Sequence, residues 1–257
     1  MMHKLDKATA MGRGVLIFVY LAVLTGLEFF VAVAMQSAPL LAVLALVKAG
    51  LVVYYYMHIH RLNEDEGADD RHSFAYKSGT NRIGLWLFLL SDSFVFGGLM
   101  VTRINLLGLT RPELNQMLGL AVTSVLLISS FFMNRGEIAM SHGDRKTFIA
   151  NTFITFLLGL AFLLGVVLVE WQVAIREGMT PDSGTHGAVF FMMTGMHAFH
   201  VFTGLVLLLV VLFNARRGLY SAEKHWAVEA AAVYWHFVDV VWIFFYPALY
   251  LIGKAII

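Results

Sequence analysis

The sequence contains no cysteine and only four prolines, and few of its residues are charged. Without cysteine there are no disulfides, no iron–sulfur clusters and no thiol chemistry. Asp, Glu, Lys and Arg together make up 14% of the chain, where a soluble domain carries about a quarter. A formal net charge of +1 leaves no basic face to neutralise phosphates, which argues against a nucleic-acid partner. The zinc-type His-Glu-x-x-His pattern, a phosphate loop and a nucleotide fingerprint are also missing, as is a recognisable nucleophile–base pair. Nothing points to this chain performing chemistry on its own. What is abundant is apolar: 59% of 257 residues, with a mean hydropathy of +0.75. A chain of this size cannot hide that much apolar surface in a water-soluble core, so the bilayer is its solvent.

Crossing the hydrocarbon takes about 20 apolar residues, and seven stretches qualify: 15–35, 38–57, 83–101, 114–134, 147–170, 187–213 and 228–252. The fold class expected is an all-α polytopic membrane bundle of seven transmembrane helices. The first stretch resembles a secretory signal, with Lys4, Lys7 and Arg13 before it and Ala32-Val33-Ala34 near its end. It is too long for a signal core and contains Glu28, so it reads as a retained helix. Pro247 falls inside the last stretch and predicts a kink. With the N-terminus inside, thirteen Lys and Arg fall on inner segments and four, Arg103, Arg111, Arg176 and Lys254, on outer ones. This bias places the N-terminus in the cytoplasm and the C-terminus outside. The widest polar gap holds the acidic run Asn63-Glu64-Asp65-Glu66 and Asp69-Asp70. It suggests a two-helix unit (1–60), a cytoplasmic linker (61–81) and a five-helix unit (82–257).

Ionisable groups inside spanning helices are costly and mark function or packing. Glu28 and Lys48 sit on adjacent helices, about 20 and 14 Å from the inner edge at helical rise, and suit an intramembrane ion pair. The alternative is that each snorkels or meets another subunit. Asp92, His197, His200, His236 and Asp239 fall at similar depth and suggest one polar layer in the bundle. Three readings of that layer are open: metal or haem ligation, proton relay, or a structural network in which acid and imidazole satisfy one another. The structural reading fits best, because Met196, Phe199 and Phe202 crowd the space a haem would need. At the interfaces, Trp171 suits a belt anchor beside Glu170, Arg82 suits a lipid phosphate, and His58 and His60 suit interfacial anchoring after Tyr54-Tyr55-Tyr56. Gly97-Gly98, Gly159 with Gly165, and Gly195 with Gly204 suit close helix approach.

Four segments carry a family resemblance: Leu90-Ser91-Asp92, Val169-Glu170-Trp171, Gly195-Met196-His197-Ala198-Phe199-His200, and Tyr234-Trp235-His236-Phe237-Val238-Asp239. Over about residues 80–252 the chain resembles subunit III of haem-copper terminal oxidases. The run Ala45-Leu46-Val47-Lys48 through Tyr56-Met57-His58 is similar to the bacterial subunit-IV-like proteins, which would make the chain a fusion. The resemblance implies an accessory, cofactor-free subunit of the bacterial plasma membrane. On that reading haem and copper reside in partner subunits, subunit I and with it subunit II. The chain would pack against subunit I, hold phospholipid and support proton uptake. Asp92 stands where many cytochrome c oxidase members have a buried glutamate, and so resembles quinol-oxidase members. Two alternatives follow from the same or similar features: a subunit-III-like companion of a nitric oxide reductase, and a haem-bearing cytochrome using His197, His200 and His236. A stand-alone transporter is a third, although the sequence lacks the repeated halves and broken helices that transporters show.

Overall fold

The computed structural model describes residues 6–63 and 74–256. It contains seven helices long and apolar enough to cross a membrane. Two of them come first, α1 (Lys7–Ala34) and α2 (Ala38–Leu51), the latter running on through a π-helical turn, Val52–Tyr56. α3 (Phe74–Leu107) follows a short 3-10 turn, Ile59–Asn63. α4 (Gln116–Ser141) and α5 (Arg145–Leu164) form a hairpin. α5 continues through a second π turn, Gly165–Glu170, into α6 (Trp171–Arg176). α7 (Thr185–Arg216) and α8 (Trp226–Tyr246) complete the bundle, and a third π turn, Pro247–Leu251, extends α8.

α8 is the axis of the molecule: 83% of its apolar centre is buried, against 11% for α3. α1 and α2 pack on α4 and α8, so the N-terminal pair belongs to the same core as the rest. α3 presents Ile83, Leu87, Phe94 and Ile104 outward.

Several expectations are corrected. α3 starts at Phe74, so residues 74–81 belong to a helix rather than to a linker. The acidic run at 64–70 lies outside the described residues. The fifth spanning helix does not end at Glu170, since a π turn carries it on to Arg176. At Pro247 the missing N–H removes one α-helical hydrogen bond. The backbone widens there to a π turn, closed by the Ile252 N–H donating to the Pro247 carbonyl at 2.8 Å. Gly97 and Gly98 face open space, whereas Gly159 and Gly204 both receive the Trp235 indole.

Arg103, one of the four cations assigned to outer segments, is 2% exposed. Its guanidinium donates to the carbonyls of Ala248 (2.8 Å), Gly108 (2.6 Å), Thr110 and Ile252 (both 3.0 Å). Those carbonyls belong to the helix ends around two short parallel strands, β1 (Thr110–Pro112) and β2 (Lys254–Ile256). One buried cation thus clasps the C-terminus to the α3–α4 connection.

Candidate functional site: a buried polar seam

The residues expected to form one polar layer do not share a face. Asp92 and His200 meet between α3 and α7, with His200 Nε2 at 3.1 and 3.3 Å from the two carboxyl oxygens. His200 Nδ1 lies 2.8 Å from the Met196 carbonyl. A carbonyl only accepts, so Nδ1 carries a hydrogen and Nε2 is left facing the carboxyl. His197 donates from Nε2 to the Val238 carbonyl at 3.1 Å and packs between Phe162 and Trp242. This bond anchors α7 to α8 without any acid.

His236 and Asp239 face the opposite way, towards the N-terminal pair and α4. Along α8 and its π turn, Glu229, His236, Asp239, Tyr246 and Tyr250 recur at intervals of 7, 3, 7 and 4 residues. That spacing draws one stripe on a helix, and all five residues are buried.

At the inner end of the stripe, Glu229 accepts a fork from Arg82, Nε to Oε1 at 2.9 Å and Nη2 to Oε2 at 3.1 Å. The Arg82 guanidinium, expected at a lipid phosphate, is therefore committed to a carboxylate. Arg61 reaches Glu229 at 3.3 Å and Glu137 on α4 at 3.0 Å. His58 Nε2 lies 3.6 Å from the same Glu137 oxygen. Burial, followed by the charges of Arg61 and His60, holds the His58 imidazole well below its ordinary pKa. His58 thus belongs to a buried charge cluster rather than to an exposed belt.

Midway along, Ser130 Oγ sits 2.6 Å from His236 Nδ1, and the Asp239 carboxyl lies close to the same hydroxyl. The Tyr56 ring stacks 5.0 Å from His236, and its hydroxyl donates to the Gly14 carbonyl. Next comes the Lys48–Glu28 ion pair, whose side chains are 2% and 0% exposed. The two charges therefore meet directly inside the chain rather than snorkelling. At the outer end the Tyr250 hydroxyl donates to Glu170 Oε2 at 2.6 Å. Trp171, expected as an interfacial anchor, donates its indole N–H to Thr194 Oγ1 at 3.0 Å and so ties α6 to α7. Among the described residues, no group of three or more His, Asp or Glu is placed to hold a metal ion.

The family model for cytochrome c oxidase subunit III matches residues 12–254. The chain belongs to that family. A cytochrome c oxidase subunit 3 of Thermostichus vulcanus is 35% identical over 179 residues, 67% of this chain and 87% of the relative. Probable quinol oxidase subunits 3 of Staphylococcus haemolyticus (strain JCSC1435) and Staphylococcus aureus (strain USA300) are 35% and 34% identical over 193 residues. Each of these alignments takes in 71% of this chain and 94% of the relative. This subunit III is thus a multi-pass membrane protein and an accessory subunit of a haem-copper terminal oxidase, assembled with other oxidase subunits. The family match begins at residue 12 and so includes the N-terminal pair together with the five later helices.

Subunit III here carries more buried charge than its sequence advertised. Glu137, Glu229, Arg61, Ser130, Tyr56, Tyr246 and Tyr250 were not singled out. The acids and arginines lie near helix ends, where charge is unremarkable, and hydroxyls hide in apolar runs. The stripe spacing on α8 was the signal that would have found Glu229, Tyr246 and Tyr250.

Proposed function

We propose that this subunit III works in a bacterial plasma membrane, N-terminus in the cytoplasm, packed against the catalytic subunit I, with subunit II in the same complex. Haem and copper belong to those partners, and the paired polar groups of this chain, Asp92 with His200 and Glu28 with Lys48, hold its helices together. The observation that carries this reading is three contacts between spanning helices within the chain: Asp92 with His200, Glu28 with Lys48, and His197 with the Val238 carbonyl. Groups engaged in this way lock helices together instead of ligating iron or copper. By resemblance residues 1–60 correspond to a small subunit-IV-like unit and residues 82–257 to subunit III proper, with 61–81 between them in the chain, and the two parts share one core. Phospholipid lies against the outward face of α3, where Ile83, Leu87 and Phe94 are exposed, and through its packing the subunit sustains proton uptake by the complex.

The test is purification of the native complex, identification of the large subunit that travels with this chain, and turnover assays with oxygen and with nitric oxide. Oxygen consumption coupled to proton release outside is expected. A partner that turns over nitric oxide alone would remove the oxidase reading. An absorption spectrum of the chain expressed alone adds a second check, since a stoichiometric Soret band would end the cofactor-free assignment. Relatives named for cytochrome c and for quinol both match, so the same purified complex is offered each donor in turn.

A further inference from the structure

The stripe on α8 and the groups facing it include buried polar atoms for which the protein supplies no partner. Glu137 Oε2, His236 Nε2, Asp239 Oδ2, Glu28 Oε1, the Tyr246 hydroxyl and Glu170 Oε1 lack a hydrogen-bond partner among the described residues. All but Glu170, which meets α8 from the π turn after α5, lie between α8 and the α1–α2–α4 wall. Each is buried within this chain, so a neighbouring subunit does not reach it. Buried polar atoms left bare are costly, and in native proteins they are met by internal water. Beside Asp239, on its Lys48 side, a cavity of ≈ 10 Å³ is bounded by Thr25, Lys48, Thr123 and Asp239, about the space one water needs, so a single water can meet the bare carboxyl oxygen there. Tyr56, Glu170 and Tyr250 on this seam all sit in π-helical turns, a backbone form concentrated at functional sites.

We propose that the buried polar side chains of the seam from Glu137 to Asp239, with single waters at their bare atoms, relay protons between the inner face and the Asp239 carboxyl, with the Lys48–Glu28 pair closing the seam towards the outer face. The chemistry is balanced at each atom. Ser130 holds one hydroxyl hydrogen and lies between His236 Nδ1 and Asp239. With Asp239 ionised, the hydroxyl donates to the carboxylate and accepts the His236 Nδ1–H, which leaves Nε2 as a bare acceptor. A proton arriving at Nε2 from water releases the Nδ1 proton to Ser130, which passes its own to Asp239. The imidazole ends as the other tautomer and the carboxyl ends protonated. At the entrance His58 is near enough to His236 for each imidazole to oppose the other's charge, and Arg61 and Glu137 stand beside it. Asp239 is faced by Lys48 from α2, Tyr56 from the π turn, Thr25 from α1, and Thr123 and Ser130 from α4. Of these only Lys48 carries a fixed charge, and a positive charge at that depth repels an incoming proton, as cations do in proton-excluding pores. The inference goes beyond the accessory role and stands whichever gas the partner subunit reduces.

The experiment is infrared difference spectroscopy of the purified native complex, transferred from H₂O to D₂O, for the wild type, Asp239→Asn and Ser130→Ala. A protonated-carboxyl stretch is expected in the wild type that is absent from Asp239→Asn and moves promptly to its deuterated position. Ser130→Ala should keep the band but slow its exchange by roughly a hundredfold, the low end of what a positioned proton relay contributes. If Asp239→Asn retains every carboxyl band, or if Ser130→Ala exchanges at the wild-type rate or faster, the proposal is overturned. Should Asp239→Asn fail to assemble, the comparison of Ser130→Ala with the wild type decides alone, because mere loosening would speed exchange rather than slow it.

Discussion

A single buried charge is expensive, and how each is matched determines what its loss does. Lys48 and Glu28 compensate each other inside the chain, so removing one leaves the other bare in the slab. Lys48→Met alone is expected to cost about 3–5 kcal/mol of stability, whereas Lys48→Met with Glu28→Gln should recover most of it. Thermal melting of the solubilised complex for the two single variants and the double tests this, and a double variant as unstable as the sum of the singles would contradict it. These two residues were legible in the sequence because each interrupts an apolar run, and Asp92 with His200 for the same reason. His58 was misread because its neighbours in sequence are interfacial tyrosines, while its neighbours in space are Glu137 and Arg61. Its depressed pKa has a definite sign. Between its folded value and its ordinary value of 6.5, the unfolded chain binds more protons, so stability falls as pH drops through that window. His58→Gln should flatten the stability profile just below pH 6.5 relative to wild type, measured by melting at stepped pH. Asp144 lies in the short turn between α4 and α5, where Lys7 at 2.6 Å and the Thr147 N–H at 3.0 Å hold its carboxyl below the ordinary carboxylate range. Its contribution is present above the ordinary carboxylate value and is lost only as pH falls through the lower folded one.

Elements meet where side-chain volume has been removed. An added Cβ at Gly119 would stand 2.6 Å from the Tyr250 ring, and Tyr250 is itself held by its bond to Glu170. The ring has nowhere to go without breaking that bond. Gly119→Ala should therefore destabilise by about 1–3 kcal/mol, the usual cost of overpacking a full core. Gly97→Ala, which meets nothing within 4 Å, should be close to neutral and serves as the control. Equal effects at both positions would show that helix propensity rather than packing sets the outcome. Spanning helices were readable from length and hydropathy alone. Their ends and their π turns were not, because a polar first turn such as residues 74–81 looks like a loop until its backbone is seen, and a widened turn leaves no compositional mark. Pro247 announced a disturbance in the last helix without revealing that it would place Tyr250 against Glu170.

At the scale of the whole molecule, the question is whether the N-terminal pair and the later helices fold as one body. Composition suggested two units, and the polar gap between them supported that division. Yet α1 and α2 pack on α4 and α8, and polar contacts cross the join at the inner end: Arg61 with Glu137 and Glu229, and Lys7 with Asp144. Glu137 is 2% exposed and Arg61 28%, so salt screens this contact weakly. Removing the guanidinium leaves a buried carboxylate with Glu229 nearby and, among the described residues, Arg82 and His58 across the cluster. Arg61→Ala should lower stability by about 3 kcal/mol, the cost of breaking a buried pair from one side. It should also split one cooperative melting transition into two as the pair detaches before the bundle. Arg61→Lys, which keeps the charge but not the planar reach to two carboxylates, should shift the transition down while leaving it single. Calorimetry of the purified complex at low and high salt reads both effects. A single unshifted transition in Arg61→Ala would mean that apolar packing on α4 and α8 alone makes the chain one body, and that the inner charge cluster exists for the file of polar groups behind it.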